Sequence, residues 1–386
     1  MSDPRRLAVA LVGLCAFLQL YTPQALLPLF ATEFGAGPAA VSLTVSVTTL
    51  AVALVAPFAG VLADRIGRRK VIVAAIFTLV LPTALIATAG SLNEMLVWRF
   101  LQGLLLPPIF AVAVAYIGEE WPTDEVASVL GVYTAGSALG GFLGRLVTGI
   151  AAEHIGWRGA FLVLAGAELV GALVAARYLP PERHFAATAG LASALRTMLR
   201  HFRNPRIVVT FGIGFTILFT FVALFTYVSF HLAAPPYSLS PAALGSIFVV
   251  YLFGVIVTPW SSRFVLRLGR RKLAVLAIAL WCASVALTLA PSLPLILAGL
   301  ALAAACGFVC QTLSQGFLTT VASAGRSSAI GLYVTIYYIG GSAGALLPAP
   351  AYAAWGWPGV VALVIAVLAA MAAAVLIAWR EEPARA

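Results

Sequence analysis

The feature that most constrains this chain is a succession of apolar runs, each about 20 residues long, separated by short polar turns. A helix of that length crosses a hydrocarbon layer roughly 30 Å thick. Of 386 residues, 62% are hydrophobic and 9% charged, whereas a soluble domain carries roughly a quarter charged. So few charges cannot cover a water-soluble fold. The chain therefore reads as an all-α membrane protein of twelve transmembrane helices, near residues 7–31, 41–63, 71–90, 94–117, 127–152, 159–179, 208–232, 242–263, 273–290, 295–320, 329–349 and 358–380.

The net charge of +10 is distributed as a topology signal. With the N-terminus inside, every Lys and Arg except Arg99, Arg145 and Arg158 falls on the cytoplasmic side or at a cytoplasmic helix end. That bias places both termini in the cytoplasm and argues against a nucleic-acid partner. No cleavable signal peptide is evident. Cys15, Cys282, Cys306 and Cys310 all fall within spans, so no external disulfide framework is implied. Cys306 and Cys310 sit one turn apart without a His or acid, which favours small apolar packers over a metal site. Nothing calls for a cofactor.

The second half repeats the first in the same orientation. Gly131, Tyr133, Gly140, Gly141 and Gly144 return 200 positions later as Gly331, Tyr333, Gly340, Gly341 and Gly344. The basic tetrad Gly67-Arg68-Arg69-Lys70 returns 202 positions later as Gly269-Arg270-Arg271-Lys272. Parallel repeats predict two pseudo-symmetric six-helix bundles about an axis along the membrane normal, with a binding site between them near the midplane. The expected divisions are an N-terminal bundle (1–180), a cytoplasmic linker with an amphipathic helix lying on the anionic leaflet (181–206) and a C-terminal bundle (207–386).

The halves differ in charge. Arg99 corresponds to Gly299, Arg145 to Ala345 and Asp64 to Leu266. Charges inside a membrane are costly, so Arg99 and Arg145 need partners or a purpose. No acid obviously faces Arg99; Gln24 and the carbonyls freed by Pro23 and Pro28 lie at similar depth. Arg145 and Glu168 match in depth on two spans joined near Gly156, so an ion pair is expected between them, with proton coupling through Glu168 as the other reading. Gly136, Gly140 and Gly141, with Gly340 and Gly341, are expected to let helices approach closely. Gln19, Gln24, Arg99, Tyr333 and Tyr337 are the expected lining of a substrate cavity, any of which could instead be helix–helix glue.

The stretch Gly60-x-x-x-Asp64-Arg65-x-Gly67-Arg68-Arg69-Lys70, between the second and third spans, resembles the signature loop of the major facilitator superfamily. Arg99-x-x-Gln102-Gly103 resembles a second family motif, and Gly136-Ser137-x-x-Gly140-Gly141 is similar to the fifth-span antiporter motif, with Ser137 where many members have proline. The resemblance covers essentially the whole chain and favours the twelve-span drug:proton antiporters among bacterial inner-membrane efflux permeases. It implies that Asp64 meets the start of the eleventh span, around Ser327 and Ser328, and holds the cytoplasmic side shut. It also implies that Arg68 joins Glu119 or Glu120 in a charge network. Arg69 and Lys70 read mainly as topology and lipid contacts. The first span has no acid before Glu33, so the usual proton carrier is missing and Glu168 heads the substitutes.

The resulting expectation is a monomeric secondary transporter working by alternating access, exporting a small, partly apolar molecule with protons as the coupling ion. Sugar or metabolite permeation in either direction, or uncoupled facilitation, remains open, and a non-transporting receptor is the remote alternative. Enzyme chemistry lacks a paired His/acid set or an activated nucleophile. An ATP-driven pump lacks a Gly-x-x-x-x-Gly-Lys-Ser/Thr loop.

Overall fold

A computed structural model describes residues 3–182, 198–322 and 326–379. Most of the expected linker, 183–197, lies outside these, as does the side chain of Ser327. Among the described residues the protein is helical, without strands. Lipid offers no partner for a backbone amide, so each crossing segment satisfies its own N–H and C=O groups.

The order is α1 (Pro4–Leu18), a 3₁₀ turn (Thr22–Ala25), α2 (Leu27–Glu33), α3 (Pro38–Ile66), α4 (Arg68–Ile86), α5 (Leu92–Leu105), α6 (Pro107–Glu120) and α7 (Thr123–Tyr178). After these come α8 (Pro205–Ala233), α9 (Pro241–Ile247), α10 (Val250–Val257), α11 (Ser261–Leu268), α12 (Arg270–Leu287), α13 (Leu293–Val321), α14 (Arg326–Leu346) and α15 (Ala349–Ala378). Nine helical stretches among the described residues are long and apolar enough to cross a membrane unaided. One of them, α7, is two helices joined at Gly156, where φ is 73°. The interrupted first segment and the shorter α12 supply helices at the two remaining expected spans.

The chain forms two compact units, Met1–Leu191 with Leu232–Phe248, and Ala192–His231 with Val249–Ala386. The first differs from the sequence boundary by taking in Leu232–Phe248. Close packing explains this: a Cβ on Gly149 would strike the Pro241 carbonyl, and one on Gly245 the Arg145 carbonyl. Glu153 Oε1 also accepts the Ala242 amide at 2.8 Å.

Within the first unit, α7 lies against α1 along a glycine stripe. A Cβ on Gly136, Gly140 or Gly144 would run into the backbone of Ala10, Leu14 or Leu18. The second unit repeats the device, with Gly340 and Gly344 against the backbone of Phe215 and Phe219 on α8. Gly141 departs from its expected packing role, because a Cβ there would meet only the Arg145 guanidinium, at 3.8 Å. Gly341 is buried.

A second repeated device ties the start of the third span to the end of the sixth. Arg69 donates from Nε to the Leu179 carbonyl (3.0 Å) and from Nη2 to that of Ala176 (2.6 Å). These carbonyls belong to the end of α7, where a cation also meets the negative helix end. In return, Glu182 Oε1 accepts the Arg69 amide at 2.6 Å, capping α4. Arg271, the repeat partner of Arg69, donates to the Leu376 carbonyl near the end of α15 at 2.6 Å. Arg69 is therefore a helix clamp, which corrects its assignment mainly to topology and lipid contact. Arg69→Ala is expected to cost about 1.5–3 kcal/mol, since charge-assisted hydrogen bonds are lost at a half-buried site. Thermal unfolding of the purified protein in detergent measures that loss.

Just past the Gly156 turn Arg158 pairs with Glu33 at 2.9 Å and lies over the Trp157 ring, 4.2 Å from its centroid. The hydrogen bond from Arg158 holds the Glu33 carboxyl below the usual glutamate range. A depressed carboxyl stabilises the fold above its unfolded pKa, and that contribution is lost as pH falls through the folded value. Both side chains are over a third exposed (36% and 48%), so the effect is small. The difference in Tm between the protein and Glu33→Gln should shrink to nothing as the pH is lowered through the carboxylate range.

Candidate functional site: a buried polar network in the first unit

The site begins with a break in the first span. Pro23 has no N–H to give to the Gln19 carbonyl four residues earlier. The chain leaves the α-helix after Leu18, and the Gln24 amide turns to Tyr21 at 3.0 Å. The carbonyls of Gln19 and Leu20 are thereby left without their helical donors.

Arg99, on α5, fills that vacancy. It is fully buried and donates from Nη1 to the Gln19 carbonyl (2.8 Å) and from Nη2 to that of Leu20 (2.8 Å). Nε reaches the Thr44 carbonyl of α3 at 3.0 Å, and Nη1 also reaches Gln102 Oε1 at 2.6 Å. Three of these four guanidinium hydrogen bonds tie α5 to two other segments, and the fourth stays within α5. Thr48 Oγ1 donates to the Arg99 carbonyl at 3.1 Å, and a Cβ on Gly103 would meet the Thr48 backbone. That close approach lets the short Thr44 and Thr48 side chains and backbone surround the cation.

The network continues to an acid. Gln102 Nε2 donates to Thr83 Oγ1 at 2.8 Å. The Thr83 hydroxyl lies 2.9 Å from Glu168 Oε2 and 2.8 Å from the Leu79 carbonyl, with one hydrogen to give. Glu168 is fully buried and is linked to Arg99 through Thr83 and Gln102. Gln19 faces the Glu168 carboxyl, yet both of its side-chain polar atoms and Glu168 Oε1 lack a partner in hydrogen-bond geometry.

This arrangement overturns the expected Arg145–Glu168 ion pair. Arg145 turns to the first span, donating from Nε (2.9 Å) and Nη2 (2.8 Å) to Gln24 Oε1, and from Nη1 to the Gly141 carbonyl. Its guanidinium also packs on the rings of Tyr21 and Phe248, at 5.0 and 4.3 Å from their centroids. Equal depth does not make two residues face each other. Gln24 accordingly serves Arg145, and Arg99 has an acid within electrostatic reach after all.

At the turn between α3 and α4 Arg68 Nη2 bridges Asp64 Oδ1 (3.0 Å) and Glu119 Oε1 (2.8 Å). Glu120 is half-buried and Arg65 exposed. Nothing lies within 4 Å of where a Cβ on Gly60 would stand, whereas at Gly67 (φ 105°) the Glu182 carboxylate closes in. Tyr333 is buried in a second-unit core cluster with Ile207, Phe211, Leu318, Ala322 and Ala329. Its ring stacks on the half-buried Tyr337, centroids 6.0 Å apart.

Sequence reasoning passed over Glu182, Thr83 and the repeated Gly-Trp pairs. Gly156-Trp157 and Gly356-Trp357 carry the same offset of 200 residues, and both glycines turn the chain with positive φ. That offset was the available signal. Glu182 announced itself only as an acid just beyond a span.

Helices long and apolar enough to cross a membrane, with buried Arg and Glu side chains found among the described residues only in the first unit, mark a polytopic membrane protein. The chain belongs to the Major Facilitator Superfamily, whose profile matches residues 9–250 and 232–386. It is 30% identical to the uncharacterized MFS-type transporter YybF of Bacillus subtilis, over 91% of this chain and 87% of that protein. It is 34% identical to the inner membrane transport protein YnfM of Escherichia coli, over 68% of this chain and 64% of that one. Among solved structures, a bacterial homolog of the human lysosomal transporter Spinster matches the whole of both chains with a TM-score of 0.78 at 17% identity.

Proposed function

We propose that this transporter works by alternating access and exports a small, partly apolar compound across the bacterial inner membrane in exchange for protons. In this reading it acts as a monomer with both termini in the cytoplasm. The observation that carries the proton part is the buried Arg99–Gln102–Thr83–Glu168 chain, the one place in the first unit where an acid lies wholly inside the described helices. Ionisable groups are kept inside membranes at a cost and serve ion pathways more often than packing. Half-buried and buried aromatic and neutral polar side chains of the second unit, such as Tyr251, Phe308 and Tyr337, suit an apolar cargo. A relative named as a putative multidrug resistance protein, 28% identical over 40% of this chain, is consistent with export.

Asp64 is the proposed cytoplasmic gate residue, since Arg68 holds it in one cluster with Glu119 at the turn between α3 and α4. The experiment is a drug and metabolite sensitivity screen of a strain lacking the protein, with and without its restoration. Hypersensitivity to apolar compounds that disappears on restoration supports export. A growth defect relieved only by external metabolite would favour uptake.

A further inference from the structure

The first unit holds an unusual combination: a fully buried carboxylate whose Oε1 has no partner in hydrogen-bond geometry, facing the Gln19 carboxamide, whose two polar atoms have none in that geometry either. Buried polar atoms are nearly always satisfied, and each exception calls for a reason. Burial of a fixed charge would favour completing these bonds, because an unmade one costs about 1–3 kcal/mol. A carboxyl that gains and loses a proton turns one oxygen from acceptor to donor, and an oxygen without a fixed partner suits both states.

We propose that Glu168 is where the coupling proton resides, and that Thr83 and Gln102 carry its charge state to Arg99. The proposal rests on the proton-exchange reading above and assigns it a residue. The proton binds Oε1, the unpartnered oxygen, converting carboxylate to carboxylic acid, and leaves by the same oxygen. When Glu168 is ionised, Thr83 gives its single hydrogen to Oε2, and the charge of Arg99 is balanced. When Glu168 is protonated, Oε2 becomes the weaker acceptor, and the Leu79 carbonyl, 2.8 Å from the same hydroxyl, competes for that hydrogen. Arg99 is then an uncompensated cation held by the carbonyls of Gln19 and Leu20, at the break in the first span. Proton binding on α7 is thereby felt where the first span bends. The groups facing Glu168 are Gln19 and Cys15 from the first span, Thr83 from α4 and Arg99 from α5. Of these only Arg99 carries a charge that can answer it.

Infrared difference spectra of the purified protein in detergent, recorded across a pH titration, test this without knowledge of the cargo. A carboxylic-acid C=O band that appears on acidification should be missing from Glu168→Gln. In Thr83→Val, which keeps Glu168 and the packing volume, the band should remain but appear at higher pH, because the ionised carboxylate has lost the hydroxyl that donates to Oε2. No Glu168-dependent band, or one that Thr83→Val leaves at the same pH, overturns the proposal. Flux in proteoliposomes separates the two readings. If wild-type flux responds to a pH gradient and Glu168→Gln flux responds equally, the residue assignment is wrong while proton exchange stands. If wild-type flux ignores the gradient, proton exchange itself is wrong, and the proposal falls with it.

Discussion

Arg99→Ala should abolish transport and destabilise the protein by about 3–5 kcal/mol, the cost of removing one partner from a buried charge pair. The substitution deletes four hydrogen bonds at once. It also strands three acceptors: two carbonyls in the broken turn, which have no helical donor to return to, and Gln102 Oε1. Glu168 loses the cation that balances it, at the far end of a two-residue bridge. A double variant, Arg99→Met with Glu168→Gln, should recover much of that stability, because replacing both charges removes the desolvation cost together with the attraction. It should not recover transport. Thermal unfolding of the single and double variants forms the cycle that isolates the coupling. Additive losses would mean that the two charges do not feel each other.

Gly144→Val should disrupt the first unit through shape rather than charge. The added Cβ would meet the Leu18 carbonyl and Cα of α1, and backbone cannot swing aside as a side chain does. Overpacking costs typically about 1–3 kcal/mol, and a clash with backbone belongs at or above the upper end. Close backbone contact is also what holds membrane helices together, since lipid supplies no hydrophobic drive between them. Gly344→Val should do the same in the second unit, against Phe219. Gly141→Ala is the control: it sits in the same glycine-rich stretch, but its Cβ would reach only the Arg145 guanidinium at 3.8 Å. Monodispersity after detergent extraction should collapse for the two valine variants and hold for the alanine one.

The fold was legible because a bilayer leaves the chain little choice. Apolar length, the side on which the bases fall, and repeats at offsets of 200 and 202 residues lead to paired helical bundles before any contact is known. The repeat even carries the packing chemistry, since Gly140 and Gly144 meet the first span as Gly340 and Gly344 meet α8. Side-chain partners were much less legible. Arg145 and Glu168 share a depth and a hairpin, yet one points at α1's broken end and the other at α4, because helical azimuth decides the neighbour. Pro23 did foretell the freed carbonyls that Arg99 takes. Glu182 and Arg69 could not be paired in advance, because they are 113 residues apart and meet only where α4 packs against the end of α7. Tyr333, expected in a cavity, fills core. An aromatic at helical spacing says nothing about which face of the bundle it lines.

The central claim is that an inward flow of protons drives cargo outward through this protein. It is tested most directly with everted membrane vesicles and a compound picked out by the sensitivity screen. Acidifying the vesicle interior should drive accumulation of that compound, and a protonophore should erase the accumulation. Uptake that is the same with the gradient present, absent or reversed would contradict the account.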